Sequence, residues 1–162
     1  MCGIVGIISK NNSIPTVIDG LKALEYRGYD SAGIALLNED KIEVFKALGK
    51  LHNLEEKVNT NISYPLGIGH TRWATHGKPT ELNAHPHMGE YSYVVHNGII
   101  ENYKELKEEL IQKGHKFVSQ TDTEVIVHLF ENFYNKLNDT KEAFNKTIKK
   151  LQGAYSILLI SK

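Results

Sequence analysis

The order of its apolar segments is the feature that most constrains what this chain can fold into. Short apolar runs typical of strands occur at residues 2–8, 34–37, 42–45, 66–72, 91–96 and 154–160. The runs at 34–37 and 42–45 flank Asn38-Glu39-Asp40 and predict a β-hairpin. Helical patterns separate some of the other runs, but not in regular βαβ units. This order predicts an α+β fold in which helices cover antiparallel sheets.

Residues with capping propensity predict where the helices begin. Ser13 precedes a helix with Pro15 in its first turn, and Asn102 precedes another. Thr121–Glu124 has the pattern of a capping box before a helix at 125–134, and Asp139 or Thr140 starts the next helix. A weak amphipathic helix is predicted at 51–58. The segments 26–33 and 73–87 break every periodicity and are predicted to be loops.

Composition bounds the class of protein. A chain of 162 residues is long enough for one domain with a sizeable core. The formal net charge of zero does not favour nucleic acid or a membrane surface as the main partner. The first apolar run is too short to span a bilayer and lacks the basic start of a secretion signal. With one cysteine, no intrachain disulfide is possible, so we expect a cytoplasmic protein.

That cysteine, Cys2, is the second residue of the chain. Removal of Met1 would leave a thiol and a free α-amine on one residue, which supplies a nucleophile and a base together. The amine titrates near ~7.7–8.0, so it can accept a proton at neutral pH. The alternative is a small cysteine buried on a core strand, which is the usual environment of a free cysteine.

Arginine is rare in this chain. Of 19 basic residues only Arg27 and Arg72 are arginines, and both lie at loop-like places. A planar guanidinium grips a carboxylate with two hydrogen bonds, which lysine cannot do. The single tryptophan, Trp73, is adjacent to Arg72. This clustering indicates a binding site for a carboxylate.

Two further places can be interpreted in more than one way. Asn97-Gly98 after a strand is a strong turn signal, or alternatively an oxyanion hole made by the Asn97 amide and the Gly98 backbone N–H. Asp122 either complements a helix N-terminus or pairs with the ammonium group of a ligand. His85-Pro86-His87 invites a zinc hypothesis, but no further ligand stands at a recognised spacing, so no metal is expected.

Taken together, these motifs resemble the class II glutamine amidotransferases, which use an N-terminal cysteine. The resemblance runs through the whole chain in one order. It is carried by the segments 2–6, 24–33 (with Arg-Gly-Tyr-Asp-Ser-Ala-Gly), 69–77 (Gly-His-Thr-Arg-Trp-Ala-Thr-His-Gly), 83–87, 95–102 and 119–124. The form of the second segment favours the branch that supplies ammonia to fructose 6-phosphate over the phosphoribosyl and asparagine branches.

The resemblance implies an N-terminal-nucleophile hydrolase fold, a four-layer αββα sandwich of antiparallel sheets. It also implies that glutamine is hydrolysed to glutamate and ammonia through a γ-glutamyl thioester, without a metal or an organic cofactor. The roles it implies fall on nine residues. Cys2 is the nucleophile, Asn97 and Gly98 form the oxyanion hole, Arg72 binds the substrate carboxylate and Asp122 its ammonium. Thr75 and His76 line the pocket, Trp73 and the loop to about Pro79 close over the bound glutamine and face the ammonia exit, and Arg27 supports the nucleophile's loop.

In the branch that supplies ammonia to fructose 6-phosphate, the glutaminase domain continues with more strands and is followed by two sugar-isomerase domains, which receive the ammonia. Residues 1–162 are therefore expected to be a glutaminase domain that is incomplete at its C-terminal end. The alternatives are a glutaminase domain with another acceptor and a truncated fragment that binds glutamine without turning it over. The expected partner is L-glutamine, nucleic acid and membranes are not expected partners, and a homodimer is left open.

Overall fold

The structure, a computed structural model, describes residues 2–58, 61–74 and 77–162. The strands of these parts are β1 (Gly3–Ile8), β2 (Ser31–Asn38), β3 (Lys41–Leu48), β4 (Leu66–Arg72), β5 (His87–Met88), β6 (Ser92–Gly98) and β7 (Tyr155–Ser161). The α-helices are α1 (Ile14–Leu24), α2 (Leu51–Glu55), α3 (Tyr103–Gln112), α4 (Glu124–Leu137) and α5 (Thr140–Lys150), and a 3-10 helix covers Glu25–Arg27.

These elements form four layers. One sheet has the order β1-β4-β2-β3 and the other the order β5-β6-β7, and every neighbouring pair is antiparallel. A first apolar cluster joins α1 and α2 to the larger sheet, and a second joins α3 and α4 to the smaller sheet. A third cluster, centred on Ala35, Ile68, Val95 and Ile160, fills the space between the sheets. The predicted antiparallel α+β class is confirmed.

The hairpin at 34–45 forms as predicted, but its first strand is longer than the apolar run. β2 begins at Ser31, so the interpretation of residues 26–33 as one loop is wrong at its end. Gly33 lies inside this strand at a point where the backbone of His85, in the loop before β5, comes very close to it. A Cβ at Gly33 would lie 2.1 Å from the carbonyl oxygen of His85. Only glycine therefore lets β2 pass under that loop.

The predicted helices are present, but most of the predicted caps are not made. Ser13 and Asn102 stand at the N-cap positions of α1 and α3 without a side-chain capping hydrogen bond. α4 begins at Glu124, and Thr123 at its N-cap makes no such bond either. Asp139 alone behaves as predicted, because its carboxylate accepts the Glu142 backbone N–H at 2.8 Å.

The fold brings distant parts of the sequence to one edge. The ladder between β1 and β4 pairs Gly3 with Thr71, which sets the start of β1 beside the end of β4. The sheets pack face to face, and β6 ends at this same edge. In the described part of the chain, no helix is long and apolar enough to cross a membrane.

Candidate active site

The thiol of Cys2 lies against the backbone at the end of β4. The Trp73 backbone N–H donates to Sγ at 3.3 Å, and the thiol donates to the Trp73 carbonyl at 3.5 Å. Burial raises the pKa of the Cys2 thiol, although the hydrogen bond with Trp73 and the charge of Arg72 act in the opposite direction. Because the raised pKa keeps the sulfur protonated at neutral pH, a nucleophilic Cys2 needs a base.

Asn97 and Gly98 come from the other sheet and meet Cys2 at this edge. The Asn97 side-chain amide donates to the Cys2 carbonyl at 3.0 Å. Both residues belong to β6, and Gly98 is paired with Tyr155 of β7, so the interpretation of Asn97-Gly98 as a simple turn is wrong. Gly98 has φ +126°, and a Cβ there would lie 2.2 Å from the carbonyl oxygen of Ala154. This position therefore requires glycine.

Arg72 is the last residue of β4, and its side chain is buried. Its guanidinium donates to the carbonyl oxygens of Gly77 at 3.1 Å and Lys78 at 3.3 Å. The Asp30 carboxylate lies 3.7 Å from Nη1. Arg72 therefore holds the loop that follows β4.

Asp30 is a residue of this site that the sequence reasoning did not single out. Its carboxylate accepts the backbone N–H of Ala74, accepts the Ser31 hydroxyl at 2.9 Å and pairs with Arg72. It thereby joins the start of β2 to the loop after β4. The available signal was an acid inside the segment 26–33, which contains one of the two arginines.

Asp122 lies just before α4 and is buried. Its Oδ2 accepts the backbone N–H of Ile100 at 2.8 Å. This contact anchors the carboxylate to the segment after β6 rather than to the first turn of its own helix. Among the residues that the structure describes, no hydrogen bond engages the other carboxylate oxygen.

A cleft joins these groups, and it is lined by Cys2, Arg72, Trp73, His85, His96, Gly98, Thr121, Asp122 and Thr123. Its cavity volume is about 20 Å³, on a scale on which one water needs about 10–15 Å³. The enclosed part of the cleft therefore has room for little more than one water molecule. A larger apolar groove of about 270 Å³ lies beside Ile8 and Leu158, but its lining of glycines, isoleucines and leucines carries no chemical group suited to catalysis.

The remaining predicted site residues fall in different places. Trp73 has its ring half exposed and in edge-to-face contact with Tyr29, with 5.7 Å between the ring centroids. Arg27 ends the 3-10 helix and is not among the described residues that line the cleft. Thr75 and His76 lie outside the described residues.

Four buried histidines cluster at the cleft, where His85 and His96 form part of its lining. Sequence reasoning considered two of the four, His85 and His87, only as zinc ligands. The rings of His70 and His85 stack with 3.8 Å between their centroids, and His87 and His96 flank His85. Burial lowers the pKa of His70 and of His87 to about 3, and it holds the pKa of His85 well below its usual value. These rings are therefore neutral at pH 7. Within the ranges 2–58, 61–74 and 77–162, no three histidine, cysteine or acidic side chains are grouped so that they could hold a metal ion.

Comparison with known proteins shows to which family the sequence of this chain is similar. A sequence model described as "Glutamine amidotransferase domain" matches residues 70–162. The isomerizing glutamine–fructose-6-phosphate aminotransferase of Campylobacter jejuni is 59% identical over 100% of this chain, and that of Helicobacter pylori is 53% identical over 100%. The chain spans only 27% and 28% of the length of these two relatives.

A solved structure agrees in its fold. The glutamine phosphoribosylpyrophosphate amidotransferase from B. subtilis, complexed with ADP and GMP, superposes on this chain with a TM-score of 0.86. The two sequences are 25% identical, and the alignment covers 99% of this chain and 35% of that one. The two proteins therefore share the arrangement of both sheets despite distant sequences.

Proposed function

The chain belongs to the glutamine amidotransferase domain family, and from that membership we propose that it hydrolyses L-glutamine to glutamate and ammonia with Cys2 as nucleophile. The fold expected from the resemblance, a four-layer N-terminal-nucleophile hydrolase sandwich, is confirmed. The observation that carries the proposed activity is the meeting of Cys2, the Asn97 amide and Gly98 at one edge, with Arg72 and Asp122 in the same cleft.

The proposed reaction begins with attack of the Cys2 sulfur on the side-chain amide carbon of glutamine. The α-amine of Cys2, free once Met1 is removed, takes the thiol proton and delivers it to the leaving nitrogen, so that ammonia departs. Water then cleaves the γ-glutamyl thioester, which releases glutamate and restores the thiol. The raised pKa of the thiol supports this assignment, because the sulfur needs a base beside it.

Asn97 and Gly98 are proposed to stabilise the oxyanion of each tetrahedral intermediate. The Asn97 amide has two hydrogens, and the Cys2 carbonyl engages one of them at 3.0 Å. The second hydrogen is available to the substrate oxygen. Because the Asn97 amide donates directly to the Cys2 carbonyl, the proposed oxyanion donor and the nucleophile keep their relative position.

The substrate's two charged groups are assigned to two buried side chains. Arg72 is proposed to bind the α-carboxylate and Asp122 the α-ammonium. Because Arg72 also holds the carbonyl oxygens of Gly77 and Lys78, binding of glutamine would exchange loop contacts for substrate contacts and reshape the loop. The small cavity volume supports such a movement. Thr75 and His76 are proposed to line the pocket, Trp73 to close over the bound glutamine, and Arg27 to support the nucleophile's loop.

The use of the ammonia is inferred from the relatives. The high identity to two glutamine–fructose-6-phosphate aminotransferases supports fructose 6-phosphate as the acceptor, bound by sugar-isomerase domains of the whole protein. Residues 1–162 would then form its glutaminase domain, in the cytoplasm and without a cofactor. An acceptor of the phosphoribosyl or asparagine branch is the second candidate, favoured only by the distant structural match. A homodimer is compatible with either candidate.

Glutamate release by the purified chain tests the proposed activity. We expect release by the processed protein, almost none by Cys2→Ser, and almost none by protein that retains Met1, verified by intact mass, because its α-nitrogen is then a peptide nitrogen. Full activity in Met1-retained protein would contradict the amine as base. Binding of glutamine without any glutamate release by the processed protein would favour a non-catalytic fragment.

A further inference from the structure

The hydrogen bonds around His85 determine which of its ring nitrogens carries the proton. The backbone N–H of His96 points at Nδ1 of His85 at 3.2 Å. A backbone amide can only donate, so this Nδ1 is the unprotonated acceptor. Burial keeps the ring neutral, as described above. The single ring proton of His85 is therefore on Nε2.

Thr123 passes this constraint on to His96. Its Oγ1 lies 3.2 Å from Nε2 of His85 and 2.9 Å from Nδ1 of His96, and it has no further partner in the described part of the chain. The hydroxyl oxygen accepts a hydrogen bond from the Nε2–H of His85. The hydroxyl hydrogen therefore donates to the one acceptor left, Nδ1 of His96. Burial also lowers the pKa of His96, although the charge of Asp122 acts in the opposite direction. His96 is therefore neutral with its proton on Nε2.

That Nε2–H is the only polar group of His96 without a described protein partner. The His96 backbone N–H donates to His85, its carbonyl accepts from Nε2 of His70 at 3.0 Å, and Nδ1 accepts from Thr123. The side chain is 3% exposed and lines the cleft together with Cys2 and Asp122. A buried donor without an acceptor costs free energy, and a ligand that brings an acceptor removes that cost.

We propose that His96 is a substrate-binding residue whose Nε2–H, held in this tautomer by the Thr123 hydroxyl, donates to the α-carboxylate of glutamine. This inference rests on the proposed function. If Asp122 receives the α-ammonium, the carboxylate on the same carbon is the acceptor nearest to the neighbouring donor. Neutrality matters for this role, because a charged imidazolium would pair with Asp122 and compete with the substrate's ammonium.

The tautomer can be read directly by NMR of the chain labelled with 15N in its histidine rings, with His96→Gln identifying the signals of His96. We expect an unprotonated Nδ1 and a protonated Nε2 between pH 6 and 8, and a shift of the Nε2–H proton on addition of L-glutamate, which carries the same α-groups. Thr123→Ser keeps the hydroxyl and should keep the tautomer. Thr123→Val removes it and should leave a mixture of tautomers.

Kinetics then separate a binding role from a merely structural one. His96→Gln and Thr123→Val should raise KM for glutamine about tenfold or more with a smaller effect on kcat, whereas Thr123→Ser should stay near the original KM. A proton on Nδ1 of His96, or an unchanged KM in folded Thr123→Val, would overturn the inference. Absence of glutamate release by the unmodified protein would instead contradict the proposed function, and an Nε2–H signal that does not respond to L-glutamate would then contradict the inference separately.

Discussion

At the scale of single residues, the pKa of the Cys2 thiol depends mainly on burial, which raises it, and on the hydrogen bond with the Trp73 backbone, which lowers it. The charge of Arg72 lowers the pKa of the thiol, but less than burial raises it, and its guanidinium is engaged with the carbonyl oxygens of Gly77 and Lys78 and with Asp30. Burial is the largest influence, so the net effect is a raised pKa of the thiol. Under the proposed mechanism, in which the α-amine of Cys2 takes the thiol proton, a thiolate at rest is not needed.

We therefore predict that alkylation of Cys2 by iodoacetamide depends on pH with a midpoint above that of an ordinary cysteine. Only the thiolate reacts, and a raised pKa means that this form becomes abundant only at higher pH. Cys2 is the single cysteine, so intact mass measures its alkylation without interference. The same chain unfolded in urea is the control. A midpoint in the folded protein at or below that of the unfolded chain would show that local charges outweigh burial.

At the scale of elements, the segment before β2 shapes the end of β4. Gly28 has an extended backbone, and a Cβ there would lie 2.6 Å from the carbonyl carbon of Arg72 and 2.8 Å from the nitrogen of Trp73. Both are backbone atoms of the strand end that contacts Cys2. Two residues after Gly28, the Asp30 carboxylate accepts the backbone N–H of Ala74 and so holds the start of the loop after β4. Gly28 and Asp30 thus act through the end of β4 on Cys2, the proposed nucleophile.

Gly28→Ala should therefore damage the site as well as the fold. We expect a loss of about 1–3 kcal/mol in the free energy of unfolding, as in overpacked sites, and a lower rate of glutamate release at temperatures where the variant stays folded. Gly6→Ala is a matched control, because its Cβ would meet the flexible end of Leu158 at 2.8 Å, away from the cleft. Urea unfolding and glutamate release measure both variants. Equal effects in the two would contradict a specific role of Gly28.

The helix starts show which features the sequence could predict and which it could not. Asp139 caps α5 from within its own turn, so the local pattern was sufficient. Asn102 instead binds the carbonyl oxygen of Lys150 and the N–H of Gln152, and Glu124 accepts N–H groups of the preceding segment. Thr123 binds two histidines. These partners outcompete the local caps, and a local pattern cannot contain them.

The candidate site divides in the same way. Cys2, Arg72, Asn97, Gly98 and Asp122 were expected from rare residue types and from the family resemblance, and the structure brings all of them together. The contacts of Thr123 with His85 and His96 join residues 38 and 27 positions apart. They arise where the loop before β5 and strand β6 pack against the start of α4. Short motifs could therefore indicate the reacting groups but not the groups that orient them.

At the scale of the whole molecule, the site is divided between its layers. Arg72 belongs to the larger sheet, and Cys2 directly precedes its strand β1. Asn97 and Gly98 belong to the smaller sheet, and Asp122 lies just before helix α4. The distance between the Cys2 carbonyl and the Asn97 amide, 3.0 Å, therefore depends on the spacing of the sheets. That spacing is maintained by the apolar cluster around Ile68 and Val95. The core between the sheets should consequently matter more for activity than the outer cores.

Ile68→Ala and Leu54→Ala test this dependence. Both side chains are buried, Ile68 between the sheets and Leu54 between α2 and the larger sheet. Each truncation should cost about 2–5 kcal/mol in the free energy of unfolding. At a temperature where both variants are folded, we expect kcat for glutamate release to fall clearly more in Ile68→Ala, because collapse of the inter-sheet core moves Asn97 relative to Cys2. Urea unfolding measures the free energy of unfolding of each variant, so that the two can be compared at equal stability. Equal values of kcat under those conditions would show that the spacing of the sheets does not control the site.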